Sequence, residues 1–116
     1  MDKEDLKKRT KNFALRVIRL VNSLPNSKAG YAIGNQLIRS GTSIGANYRA
    51  VCRAKSKPDF IAKLGTVIEE ADESVFWLEL IIEGNLMRKY LVDPLLKEAN
   101  EITAIMVASK KTISNS

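Results

Sequence analysis

Apolar residues recur every three or four positions along nearly the whole chain, and no stretch alternates with a period of two. That pattern predicts helices and no sheet. The first helix is expected from about Asp5 to Leu24, with Leu6, Phe13, Val17, Leu20, Val21 and Leu24 on one face, and Pro25-Asn26 ends it. The second runs from Ser27 or Lys28 to about Ala54. The third starts at Ser56, an N-cap residue, with Pro58 in the first turn and Asp59 completing an S-x-x-D box. Its stripe is Phe60, Leu64, Val67, Ala71, Val75, Leu78 and Ile82, flanked by Ile61 and Ile68, and Gly84-Asn85 stop it. The fourth is expected to open at "VDPLL", with Asp93 as N-cap and Pro94 at the first helical position, and its stripe is Leu95, Ala99, Ile102, Met106 and Ile113. Connections of a few residues force neighbouring helices antiparallel. The expected fold is all-α, an up-down-up-down four-helix bundle, with residues 1–116 forming one domain.

The second helix carries an unusual feature. Gly30, Gly34, Gly41 and Gly45 fall at roughly 0°, 40°, 20° and 60° on a helical wheel, so all four share one narrow face. Loop glycines would not keep helical phase over that distance. A phosphate-cradling loop would also need a preceding strand and usually a lysine after the glycines, and neither is present. Four glycines inside a helix cost on the order of 3–4 kcal/mol relative to alanines. Close approach of another helix is expected to offset that, with Phe60, Leu64 or Trp77 of the third helix as candidates to fill the groove.

Charge is distributed unevenly. The net charge is +6, but residues 1–57 hold 13 Lys/Arg against 3 Asp/Glu, while residues 58–116 hold 6 against 10. Lys28, Arg39, Arg49 and Arg53 lie opposite the glycines on the second helix, and Lys55 and Lys57 extend this stripe into the following turn. No acidic residue falls between Lys28 and Lys57. A solvated face usually mixes both signs, so the stripe is a candidate polyanion-binding surface. The competing reading is charge complementarity, within the chain or between subunits, against Glu69, Glu73 or Glu101.

The chain contains no histidine, which removes histidine-dependent triads, histidine zinc sites and the E-x-x-H di-iron motif. The run "EEADE", Glu69 to Glu73, reads with Glu79 and Glu83 as an exposed face or an ion-pair partner. Cys52 is the sole cysteine, which fits a reducing compartment. No stretch is long and apolar enough to span a bilayer, and "MDKEDLKKRTKNF" lacks an apolar signal core. The expectation is a cytoplasmic, non-enzymatic protein with no cofactor, metal, membrane partner or small-molecule substrate. "SVFWLELIIEGNL" is apolar nearly all round, because Phe76, Trp77 and Leu80 point away from the Phe60 stripe. Apolar surface left over by a bundle implies a subunit interface.

"LPNS" at 24–27, "QLIRSGTSIGANYRA" at 36–50, "SKPDFIAKLGTVIEEADESVFWLELI" at 56–81 and "GNL" at 84–86 resemble the bacterial proteins encoded in 23S rRNA intervening sequences. The R-x-G-x-S-I-x-A-N core, Arg39 to Asn47, and S-x-x-[DE]-F, Ser56 to Phe60, carry the likeness. Many members have an acidic residue shortly after the Asn, where this chain reads "ANYRAVCRA". The resemblance implies an antiparallel four-helix bundle and a ring-shaped homopentamer. A distant likeness to the accessory protein of diversity-generating retroelements adds nucleic-acid binding as an analogy of fold. Two functions stand at this point. One is a homo-oligomer, pentamer favoured, binding nucleic acid, structured RNA first, through Lys28, Arg39, Arg49, Arg53, Lys55 and Lys57. The other is a protein-interaction scaffold whose charge asymmetry serves assembly.

Overall fold

The computed structural model describes residues 1–116. Four helices follow in order: α1 Lys3–Asn22, α2 Lys28–Val51, α3 Lys57–Glu83 and α4 Lys89–Ser114. They form the antiparallel up-down-up-down bundle that the pattern predicts. α1 packs on α2, α2 on α3, α3 on α4, and α4 closes most sparsely on α1. The molecule measures 46 × 19 × 19 Å.

Buried positions follow a stricter rule than apolarity. They are Leu6, Thr10, Phe13, Val17 and Leu20 in α1; Gly30, Gly34, Leu37, Ser40, Gly41, Ile44, Tyr48 and Val51 in α2; Leu64, Val67, Ala71, Ser74, Leu78 and Ile81 in α3; and Val92, Leu95, Ala99, Ile102 and Met106 in α4. Apart from Ser40, which lies beside the seam of α2, each series alternates steps of three and four, a heptad spacing that turns one seam continuously toward the bundle axis. The expected α3 stripe drifted from this seam. Ser74 and Ile81 take the buried places, and Val75 and Ile82 pack only partly against the core. Ser74 is tolerated there because its hydroxyl has partners. It lies 2.9 Å from the Ser40 hydroxyl of α2 and 2.9 Å from the Glu70 carbonyl oxygen. Thr10 is buried with its hydroxyl donating to the Leu6 carbonyl.

Helix ends are mostly fixed by local chemistry. The side chains of Asp2, Ser27 and Ser56 accept hydrogen bonds from the N–H groups of Asp5, Gly30 and Asp59. The Asp59 carboxylate does not close a reciprocal box on Ser56. It accepts instead from the N–H of Lys55, one residue earlier, and from the Lys63 ammonium. α3 ends in a Schellman motif: the Leu86 N–H donates to the Ile81 carbonyl and the Asn85 N–H to the Ile82 carbonyl. Asn85, and not Gly84, holds the left-handed conformation, with φ 57°.

The start of α4 departs from expectation. Asp93 is not its N-cap and Pro94 is not its first residue. The helix begins at Lys89 and Pro94 lies inside it. The extra turn buries Val92 completely in the core. That burial outweighs the missing hydrogen bond of a proline still close to the helix start.

Candidate nucleic-acid interface

The glycine face of α2 meets α1, not α3. A Cβ built on Gly41 would stand 2.8 Å from a methyl group of Val17, one on Gly34 would meet Leu24 and Val21 at 3.2 and 3.3 Å, and one on Gly45 would meet Thr10 at 3.3 Å. Phe60, Leu64 and Trp77 do not fill this groove. Leu37, Ser40, Ile44 and Val51 turn the neighbouring sector of α2 toward the core and α3, which leaves the glycines for α1. Gly30 has a separate cause: the Pro25 carbonyl oxygen would lie 2.1 Å from its Cβ, so the turn between α1 and α2 has room only for glycine.

Because the two backbones approach closely, the outer seam between α1 and α2 is shallow and floored by small residues. Near the amino end of α1 it opens as a groove of about 180 Å³ lined by Lys7, Lys11, Ala14, Thr42, Gly45, Ala46 and Arg49. Three cations border it and no acid does. Lys7 has a neighbouring carboxylate, the exposed Glu4 at 3.2 Å, while Lys11 and Arg49 have none. Lys7 and Lys11 were not singled out in the sequence. Their role as neighbours of Arg49 depends on knowing which helix lies against the glycines.

The predicted stripe is divided by the fold. Lys28 opens α2 and stands about 30 Å along the helix from Arg49. Arg39 reaches α3, where its guanidinium lies 3.2 Å from Glu70 and also pairs with Glu73. The hydrogen bond to Glu73 and the nearby negative charges raise its pKa further above the ordinary arginine value. Thus part of the "EEADE" run is an ion-pair partner within the chain. Arg53 and Lys55 are exposed and have no acidic partner, and the Lys57 ammonium donates to the backbone oxygen of Ser116. Antiparallel topology brings these residues to the end that also holds Lys3, Lys7 and Lys11, and the carboxyl end of α4 adds Lys110 and Lys111. The Lys110 ammonium lies over Gly65 of α3, 3.6 Å from where its Cβ would be. The positive charge that the sequence spreads over its first half is concentrated in space at one end of the bundle.

Other expected site residues are placed as follows. Phe76 is 50% exposed, whereas Trp77 and Leu80 are half-buried. The Phe76 and Trp77 rings meet edge to face with centroids 5.0 Å apart, and the buried Trp77 Nε1 has no hydrogen-bond partner. Cys52 is half-buried beside Tyr48, and burial pushes the Tyr48 phenol up to about 12. No three His, Cys, Asp or Glu side chains come together as a metal ligand set. No helix is long and apolar enough to cross a membrane.

A heptad-cored antiparallel bundle with a thin, basic α1–α2 seam defines the class of protein. The chain belongs to the family described as 23S rRNA-intervening sequence protein, which it matches over residues 2–108. It is also similar to the crystal structure of a protein of unknown function from the S23 ribosomal protein family of Bacteroides thetaiotaomicron VPI-5482. The two share 33% identity with a TM-score of 0.87, covering 96% of this chain and 99% of the other. No curated protein matches the chain.

Proposed function

We propose that this protein is a non-enzymatic homo-oligomer that binds the phosphate backbone of nucleic acid, structured RNA first, with the basic end of its bundle. The observation that carries the reading is the α1–α2 groove. Lys7 and Lys11 from one helix and Arg49 from the next face a floor of small residues without an intervening acid. Such a floor allows a sugar-phosphate chain to approach, and cations on both walls can meet successive phosphates. Arg53, Lys55 and Lys57 extend the surface around the end of the bundle. Arg39 and Lys28 contribute less, the first because two carboxylates share its charge and the second because it lies at the far end. The scarcity of aromatic residues, 6% of the chain, favours backbone contact over base reading.

The test is anisotropy of a labelled RNA duplex against salt concentration. The log of affinity should fall linearly with log salt, with a slope of about −0.7 to −0.9 per phosphate neutralised. Replacing Lys7, Lys11 and Arg49 together with alanine should weaken binding to every sequence alike and flatten that slope, with the melting curve unchanged. No binding by the unaltered protein at low salt would reject the reading.

A second reading, a protein-interaction scaffold, draws on the apolar surface the bundle leaves open. Phe76, Leu15, Ile18, Tyr31, Tyr90 and Leu91 are all exposed. In either reading this surface serves self-association, with Phe76 and its neighbours Trp77 and Leu80 in the interface, and a pentamer is the favoured assembly by family resemblance. Light scattering at micromolar concentration should give about five times 12.9 kDa. A monomer mass would remove the assembly claim, and binding to a specific protein with indifference to nucleic acid would favour the scaffold.

A further inference from the structure

At the basic end, where the start of α1, the α2–α3 turn and the end of α4 meet, lies a cavity of about 590 Å³. Its size falls within the range of small-ligand sites. We propose that this cavity takes a nucleoside monophosphate unit, presented as the phosphorylated terminus of a strand; the inference rests on the nucleic-acid reading and adds to it a preference for ends.

The chemistry of the walls carries the assignment. Lys3 from the start of α1 and Lys55 and Lys57 from the α2–α3 turn line the cavity, and none pairs with a side-chain carboxylate. The Lys57 ammonium already holds an oxygen there, that of the Ser116 backbone. The two acids close by already have partners. Asp59 accepts from the Lys55 N–H at 3.0 Å and the Lys63 ammonium at 2.7 Å, and Asp2 caps α1. A terminal phosphate monoester carries about −1.5 to −2 charges, against one for each phosphate inside a strand. The positive charge of the lysines lining the cavity therefore favours the terminus. The amino end of α3, at Lys57, adds its dipole in the same sense.

The inner wall is apolar. Cys52 and Ile113 lie there with the half-buried ring of Phe60, the one aromatic side chain on the wall. A flat base can stack on that ring while its phosphate meets the lysines, an arrangement available to every base. The hollow is open to solvent, and a terminal nucleotide, tethered on one side only, is free to lay its base on that ring while its phosphate faces the lysines.

The experiment uses the whole protein and one RNA sequence in three forms: with a 5′-phosphate, with a 5′-hydroxyl, and closed as a circle. The phosphorylated form should bind about tenfold more tightly than the hydroxyl form. Phe60→Leu, which keeps the core filled, should erase that difference and leave the affinity for the circle unchanged, whereas Lys57→Gln should erase it and also weaken all three forms alike by the share of one backbone contact. Adenosine monophosphate is the competitor. Displacement of the phosphorylated form down to the affinity of the hydroxyl form supports the cavity as a nucleotide site, and displacement at nucleotide concentrations equal to the strand's own assigns it to free nucleotide. Equal binding of all three RNA forms overturns the inference and leaves the basic-end reading standing. Binding of none overturns both.

Discussion

Arg9 of α1 and Glu98 of α4 are joined by two parallel hydrogen bonds, each 2.7 Å, from the guanidinium Nε and Nη2 to the two carboxylate oxygens. Glu101, one turn further along α4, adds a third contact at 3.4 Å. This fork spans the sparsest helix contact in the bundle, so it does more there than an isolated surface pair would. Both side chains are largely covered, at 23% and 17% exposure. Glu98→Gln should destabilise the protein by about 1–2 kcal/mol, above the usual surface pair because the geometry is bidentate and part-buried.

The same pair sets a pH dependence. Hydrogen bonding to Arg9 holds the Glu98 carboxyl below its ordinary value of 4.5. A folded pKa lower than the unfolded one stabilises the fold above the ordinary value, and that stabilisation is lost as pH falls through the depressed one. Wild-type melting temperature should therefore decline more steeply below about pH 4.5 than that of Glu98→Gln. Parallel curves for the two proteins in acid would show that the fork contributes nothing.

Gly41 and Gly45 sit one helical turn apart on the same face, yet alanine should act differently at each. At Gly41 the added methyl would press on Val17, a stiff β-branched side chain, at 2.8 Å. Overpacking there should cost about 1–3 kcal/mol, more than the gain of about 1 kcal/mol from helix propensity. At Gly45 the nearest atoms are at 3.3–3.4 Å, so Gly45→Ala should be nearly neutral. Adding Val17→Ala to Gly41→Ala should recover part of the loss, read as a positive coupling in thermal melts. Destabilisation that Val17→Ala does not relieve would place the cause outside this contact.

The number and order of helices were legible because the three-to-four spacing needs nothing beyond the sequence. The family was legible from the runs around Arg39–Asn47 and Ser56–Phe60. Three things were not. Thr10, Ser40 and Ser74 occupy heptad seam or adjacent buried positions, but a count of apolar residues passes over them, because their hydroxyls find local partners only once the helices exist. The partner of the glycine face was misread because both neighbouring helices offered side chains to fill it. The rotation of α2 about its axis decides the matter. The start of α4 was misread because a proline at a first-turn position and a preceding aspartate imitate a helix start, and only the burial of Val92 reveals the turn before them. The basic end carries the same lesson, since Lys7 and Arg49 are distant in sequence and become neighbours through the antiparallel pairing of α1 and α2.

The Ser40–Ser74 contact gives a prediction about buried hydroxyls. Both residues are fully buried. Ser74→Ala removes the Ser40 hydroxyl's good partner and leaves it the Leu37 carbonyl at 3.4 Å. The cost should be about 1 kcal/mol, while the double change to alanine should cost less than the sum of the single changes, since no hydroxyl is then left unpaired. Additive losses in a double-mutant cycle would show that the two hydroxyls are not coupled.

Arg39 and Arg49 offer the sharpest test of where phosphate meets the protein. Both belong to the outer face of α2, both are exposed, and the sequence treats them alike. The fold does not: Glu70 and Glu73 share the charge of Arg39, whereas Arg49 stands unpaired at the groove with Lys7 and Lys11. If the basic end binds the backbone, Arg49→Ala should weaken RNA binding and reduce the salt slope by about one phosphate's worth. Arg39→Ala should change affinity by no more than about twofold at physiological salt, because the carboxylates it uncovers act on the RNA only through screened distance. Neither change should alter the assembly if the charges serve binding. Equal losses from the two variants would mean that the phosphate track runs along the whole of α2 and that the Arg39 ion pairs open when RNA arrives. Loss of the oligomer in Arg39→Ala, with RNA binding retained in both variants, would instead assign the Arg39 cluster to contact between subunits.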